Sequence, residues 1–251
     1  YNLNNKLVIA ISSRALFDLE EENQIFEKDG LDAYYKYQLE NEDKSLKKGT
    51  GYRLVENILK INSFFSSDER QVEVIILSKN NAATSLRITN AINDLKLDII
   101  RSAWTSGTNI SNYLKAFKVD LFLSADDNDV LNAIENGVAA AKILHSNENI
   151  HNISNEQVRI AFDGDAVLFS EESELVYKNH GLEAFIEHEK ENRNNPLEMG
   201  PFAKLLLTIA KIQAKFPTDK SPIRTALVTA RSAPTHERVI KTFNLWGVRV
   251  D

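Results

Sequence analysis

The chain has 251 residues, a formal net charge of −6, 43% hydrophobic and 26% charged residues, and no cysteine. That length allows one large domain or two modest ones, and that composition can bury a core. The acidic balance, with Lys and Arg scattered, excludes a general nucleic-acid binder; the lack of cysteine excludes disulfides, thiol catalysis and cysteine-held metals, and fits a reducing compartment. No apolar run is long enough to span a bilayer and no signal peptide is visible, although the chain opens at Tyr1 and an upstream segment is expected.

Taken in order, Leu7–Ile11 reads as a buried strand, with Ser12-Ser13-Arg14 at its exit. A second strand ends at Ser78-Lys79-Asn80. A third follows in "IIRSAW", then a loop at Thr105–Asn109, a helix carrying Leu114 and Phe117, and a strand at Leu121–Leu123. Asp126-Asp127 follow that strand; Asp127 or Asn128 can cap a helix whose face holds Val130, Ile134 and Val138.

The stretch "VRIAFDGDAVLF" places a buried strand at Arg159–Phe162 and an acidic turn, Asp163-Gly164-Asp165, at its carboxyl end. In open α/β sheets ligands bind outside such ends. Asp163 could serve there as nucleophile or metal ligand, and Asp165 as proton donor and acceptor. Gly164 lacks a Cβ and lets a substrate approach the backbone. The plain alternative is an Asp-Gly turn between two strands.

Between about 171 and 221 lies an insertion. Leu175–His180 with Gly181 reads as a helix and its stop, and Leu182–Lys190 as a charged helix. A turn-rich loop leads to an amphipathic helix at Phe202–Phe216. Glu187, Arg193 and Asn194 are either substrate contacts or a solvated face. Thr225–Val228 is then a strand with Thr229-Ala230-Arg231-Ser232 at its exit, followed by a helix carrying Val239, Ile240 and Phe243. A threonine hydroxyl and backbone N–H groups at a helix start suit a phosphate; an ordinary strand–helix junction is the alternative.

A single offset of 151 aligns the two halves: Ile9-Ala10 with Ile160-Ala161, Gly30-Leu31 with Gly181-Leu182, Gly49 with Gly200, Lys60-Ile61 with Lys211-Ile212, and Arg87 with Arg238. The expected architecture is therefore α/β, with two tandem Rossmann-like units at 1–151 and 152–251. The first copy has Ser12-Ser13-Arg14 where the second has Asp163-Gly164-Asp165, and Ser78-Lys79-Asn80 where the second has Thr229-Ala230-Arg231. Ser12 cannot form an aspartyl-phosphate and Arg14 cannot shuttle a proton at neutral pH. The first copy is either purely structural or a binder of an anion through Arg14 and Lys79.

"DGDAV" followed, after the insertion, by "LVTAR" resembles the first two motifs of the haloacid dehalogenase-type phosphatases. "ISSRALF", "FDGDAVLFSEESE", "HEKEN", Gly200-Pro201 and "PIRTALVTARSA" resemble the cytosolic 5′-nucleotidase I family over most of the chain. The resemblance implies a haloacid dehalogenase-like fold, with a degenerate first unit and a second, catalytic unit whose small helical cap spans about 181–199. By that resemblance Asp163 is the phosphorylated nucleophile and Asp165 the general acid and base. Gly164, Thr229, Ala230 and Arg231 form the phosphate site, and Asp163 and Asp165 hold Mg2+. It implies a cytoplasmic hydrolase of nucleoside 5′-monophosphates, AMP-like, open to nucleotide activation, with no nucleic-acid or membrane partner. A non-catalytic nucleotide-binding or scaffold protein is the alternative. The motifs set neither base preference nor oligomeric state. In this superfamily a lysine and an acidic pair complete the site. Lys115 and Asp126-Asp127 stand where first-copy remnants would, or are a surface lysine and a helix cap; the second-copy counterparts are expected beyond residue 251.

Overall fold

The computed structural model describes residues 2–145, 157–231 and 233–250. The chain divides into two compact units, Tyr1–Asn155 and Glu156–Asp251. The expected boundary at 151/152 lies outside the described residues.

The first unit opens with β1 (Leu7–Ile11), a one-turn α1 (Ser13–Leu16), β2 (Phe17–Asp18) and α2 (Glu20–Glu40). There follow β3 (Lys47–Lys48), α3 (Tyr52–Lys60), β4 (Val72–Ser78), α4 (Leu86–Asp94) and β5 (Arg101–Trp104). It closes with α5 (Ser111–Ala116), β6 (Leu121–Ser124), α6 (Asp127–Glu135) and β7 (Ala140–Lys142). Five strands form one parallel sheet in the order β5-β4-β1-β6-β7. Because parallel strands covered on both faces must be apolar throughout, β1 is the unbroken run LVIAI and every residue of it is buried. One face of the sheet packs Val8, Ala10, Ile75, Leu77 and Phe122 against Leu114 of α5 and Ala133 of α6. The chain leaves β1 towards β4 on one side and reaches β6 on the other, so the strand order reverses at β1, where a crevice forms at the carboxyl ends.

The second unit holds β8 (Val158–Asp163), α7 (Glu172–Glu191), α8 (Ala203–Gln213), β9 (Ile223–Val228) and α9 (His236–Trp246). It repeats the first in register. Leu7 opposite Val72 and Ile11 opposite Ile76 become Val158 opposite Ile223 and Phe162 opposite Leu227, each shifted by 151. Helices α2 and α7 each break at a glycine with left-handed φ, Gly30 at 85° and Gly181 at 83°. The Gly181 stop is where the sequence places it.

Each unit also buries an arginine in the same way. Arg87 donates from Nε to the Lys44 carbonyl at 3.0 Å and pairs with Glu22 at 2.5 Å. Arg238 donates from Nε to the Asn195 carbonyl at 2.8 Å and pairs with Glu189 at 3.0 Å.

The copies fall out of step by one residue after the first strand. Phe17 and Phe169, both fully buried, lie opposite Lys48 and Met199. The extra residue is taken up in the turn Gly164–Leu168, where Ala166 adopts φ 60°.

The expectation of a buried strand at Arg159–Phe162 is corrected. Val158 and Phe162 are buried, but Arg159, Ala161 and Asp163 are exposed. Among the described residues β8 pairs only with β9, whereas β1 has a strand on each side.

Candidate active site

Strand β8 ends at Asp163, opposite Val228 of β9, so the residues after each strand leave the sheet side by side. A Cβ placed on Gly164 would lie 3.5 Å from Thr229 Cβ, Leu227 and Phe169 alike. That glycine therefore faces inward, towards ordinary packing. Its N–H donates to Asp163 Oδ1 at 2.7 Å, and its carbonyl accepts from Phe169 N at 3.0 Å. The two bonds fix the turn, and the Asp163 carboxylate stands at its solvent-exposed mouth. Thr229 is half-buried beside it, its Oγ1 accepting from Arg231 N at 3.1 Å, and Ala230 is exposed.

Asp165 is held by Arg231. The guanidinium donates from Nε to Oδ1 at 3.2 Å and to Oδ2 at 3.1 Å, and from Nη2 to Oδ1 at 2.5 Å. Its remaining Nη1 pairs with Glu189 Oε2, and its plane lies 5.4 Å from the Phe185 ring centre. Only 2% of the Arg231 side chain is accessible. Burial alone would lower its pKa; hydrogen bonds and charge from Asp165, then from Glu189, outweigh this and raise it above the usual arginine value.

All six expected site residues, the two aspartates and the four expected at the phosphate, thus gather at one sheet edge, but the Arg231 guanidinium is spent on two carboxylates. The Asp165 carboxylate is held mainly through Oδ1, while Oδ2 takes a single longer bond from Arg231 Nε at 3.1 Å and keeps a lone pair for a proton; its main-chain carbonyl is left as a donor for a metal. No group of three or more His, Asp or Glu suited to a metal occurs among the described residues. An exposed carboxylate and a carbonyl are still oxygen donors of the kind Mg2+ takes, since it keeps several waters. Glu187, Arg193 and Asn194 are exposed, and Asn194 accepts from Lys241 Nζ at 2.8 Å. Sequence reasoning missed Glu189, which is fully buried on α7 between Arg231 and Arg238.

At the corresponding edge of the first unit the strand-end hydroxyls lie against one another. Ser13 Oγ lies 3.0 Å from Ser78 Oγ, and Ser124 Oγ lies 3.4 Å from Ser12 Oγ. Both cations considered for an anion are paired, Lys79 with Asp129 at 2.6 Å and Arg14 with Glu20 at 3.3 Å. Lys115 is a surface lysine, 3.3 Å from Asn136 Oδ1, and Asp126 caps α6 by accepting from Asp129 N at 3.0 Å.

The model of the 5′-nucleotidase family matches residues 1–251. The chain belongs to the 5′-nucleotidase family. It is 36% identical to human cytosolic 5′-nucleotidase 1B over 256 residues, which cover 98% of this chain. The chain spans 42% of the length of that curated relative. No solved structure gave a significant match. Within this family assignment, the α/β fold with its central five-stranded parallel sheet agrees with the haloacid dehalogenase-like expectation. No helix among the described residues is long and apolar enough to cross a membrane.

Proposed function

We propose that the second unit carries the hydrolytic site of a magnesium-dependent, cytoplasmic 5′-nucleotidase acting on nucleoside 5′-monophosphates such as AMP, and that the first unit is its degenerate copy. The observation that carries this reading is the side-by-side exit of Asp163 and Thr229 from paired parallel strands, with Asp163 exposed and Asp165 fixed two residues on. Family membership and the name of the human relative support the substrate class.

In this mechanism an oxygen of Asp163 attacks phosphorus in line with the leaving 5′-oxygen. The P–O5′ bond breaks, and Asp165 gives the departing oxygen its proton. The ionised Asp165 then takes a proton from water, which attacks the aspartyl-phosphate and releases inorganic phosphate. The Thr229 hydroxyl and the backbone beside it hold the phosphoryl oxygens. The Asp163 carboxylate and the Asp165 carbonyl would hold Mg2+, which would supply neutralisation of phosphoryl charge.

Phosphate release from a panel of nucleoside monophosphates by the intact protein tests the reading. Asp163→Asn should abolish turnover with the fold retained. Asp165→Asn should still be phosphorylated but turn over poorly. Activity of the Asp163 variant within a few-fold of wild type would remove the nucleophile assignment.

A further inference from the structure

We infer that Glu189 is a positioning residue for Asp165, acting through Arg231. The inference rests on the acid–base role of Asp165 given above.

Glu189 is itself rigidly held. Its Oε1 accepts from Ser173 Oγ at 2.7 Å and from Arg238 Nη1 at 3.0 Å. Its Oε2 is left for Arg231 Nη1. Arg231 then presents Nε and Nη2 to Asp165 as a planar fork. The orientation of the fork fixes that of the carboxylate, and Glu189 fixes the fork from the opposite side. Without Glu189, the buried guanidinium would be held by the Asp165 carboxylate alone, and fork and carboxylate could shift together.

The two copies supply an internal comparison. At an offset of 151, Asp165 corresponds to Arg14, Arg231 to Asn80, Phe185 to Tyr34, and Glu189 to Gln38. In the first unit the counterparts of Arg231, Phe185 and Glu189 are neutral: Tyr34 donates its hydroxyl hydrogen to Asn80 Oδ1 at 2.8 Å, and Gln38 Nε2 donates to the Tyr34 hydroxyl at 3.0 Å, while Arg14 pairs with Glu20 instead. The carboxylate that Arg87 needs comes from Glu22 in the first turn of α2. The equivalent of Glu22 in the second unit is Ser173. The carboxylate has moved from one end of the helix to the other, and Arg238 is paired either way. The move adds one thing, a carboxylate within reach of residue 231. Either arrangement serves the fold; only the second serves Arg231, and it occurs in the copy that carries Asp165.

The test compares wild type, Glu189→Gln, and the double variant Ser173→Glu with Glu189→Gln, in the intact protein. The double variant returns a carboxylate to Arg238 in the first unit's position and leaves Arg231 without its second partner. In both variants kcat should fall about tenfold or more, a part of the roughly 10²–10⁴-fold that general acid–base groups contribute. KM should change little, and the double variant should regain stability without regaining kcat. A second readout is the Arg231 Nε–H signal in 15N-labelled protein, assigned by its loss in Arg231→Lys. It should be sharp in wild type and broadened in both variants. A double variant with wild-type kcat, or a signal unchanged in both, would overturn the inference. If wild type and Asp163→Asn release phosphate equally, or not at all, the nucleotidase reading fails instead. The Arg231 signal still decides whether Glu189 holds the fork.

Discussion

Gly200 sits where the chain returns beneath the turn that carries the two aspartates. Its N–H donates to the Leu168 carbonyl at 2.8 Å. A methyl group at this position would meet the Phe169 carbonyl oxygen, lie 2.5 Å from the Val167 carbonyl oxygen, and lie 2.7 Å from the Phe169 carbonyl carbon. These are backbone atoms and cannot rotate away. Overpacking costs about 1–3 kcal/mol where side chains can yield, so Gly200→Ala should fall at or above the top of that range. For a unit of this size a loss of about 3 kcal/mol lowers Tm by roughly 12–24 °C. The assay is urea and thermal unfolding followed by Trp246 fluorescence in a Trp104→Phe background. Trp246 packs on Phe169 at a ring separation of 5.8 Å and so reports on the strained segment. Gly164→Ala is the contrast: its new methyl would meet its nearest atoms at 3.5 Å, an ordinary contact. Gly200→Ala within about 0.5 kcal/mol of wild type, the range of neutral surface changes, would refute the close packing of the Gly200 segment under the site turn.

Glu22→Gln, which leaves Arg87 buried without its carboxylate, should destabilise the first unit by about 3–5 kcal/mol, read at Trp104; a change below about 1 kcal/mol would show that Arg87 finds another partner. Burial, then the charge of Glu56 and the hydrogen bond to it, push the Tyr52 phenol from 10.0 up to about 12. The stability tied to that raised value is fully present below pH 10 and is lost as pH rises towards about 12, because the unfolded phenol ionises first. Tyr52→Phe should therefore flatten part of the alkaline fall in Tm, and an unchanged slope would speak against it. Calorimetric titration of magnesium into wild type and Asp163→Asn should give weaker binding in the variant, and equal affinities would move the metal away from Asp163.

The parts of the fold readable from sequence were those set by local periodicity or by repetition. The apolar run of β1 announces a strand covered on both faces, and the 151-residue offset carries that reading to β8 and β9. The offset could not show that β8 is half exposed, since exposure depends on which neighbours flank a strand. The candidate site was legible as a set of neighbouring positions but not as a set of partnerships. Arg231 reads as a phosphate ligand because it follows a strand end with a threonine. Its actual partner Glu189 lies among Glu183, Glu187, Glu191 and other charges that suggest a solvated helix face. Two signals were available. Phe185 and Glu189 are four apart and share a helix face, and positions 14, 38 and 80 differ together from 165, 189 and 231. Lys79 with Asp129, fifty residues apart, gave no local sign of pairing.

The two copies also bear on why the second unit buries so much charge. Arg231, Glu189 and Arg238 have side chains no more than 4% accessible. Removing such ions from water costs on the order of several kcal/mol each, and mutual attraction does no more than offset it. A buried ion network is therefore weak evidence of stabilisation. The first unit closes the 34–38–80 part of the same scaffold with a phenol and two amides, and its buried ion pairs, among them Arg87–Glu22 and Arg101–Glu73, do not involve these three positions. The scaffold can fold without the ionic layer, so stability does not explain its presence. What the second unit gains is a carboxylate at residue 165 with a fixed direction beside an exposed carboxylate at residue 163. A proton donor is useful only if it points at the departing oxygen, and a misplacement of about 1 Å can cost on the order of 10²-fold in rate. On the proposed acid–base role of Asp165, the ionic layer is the cost of that direction.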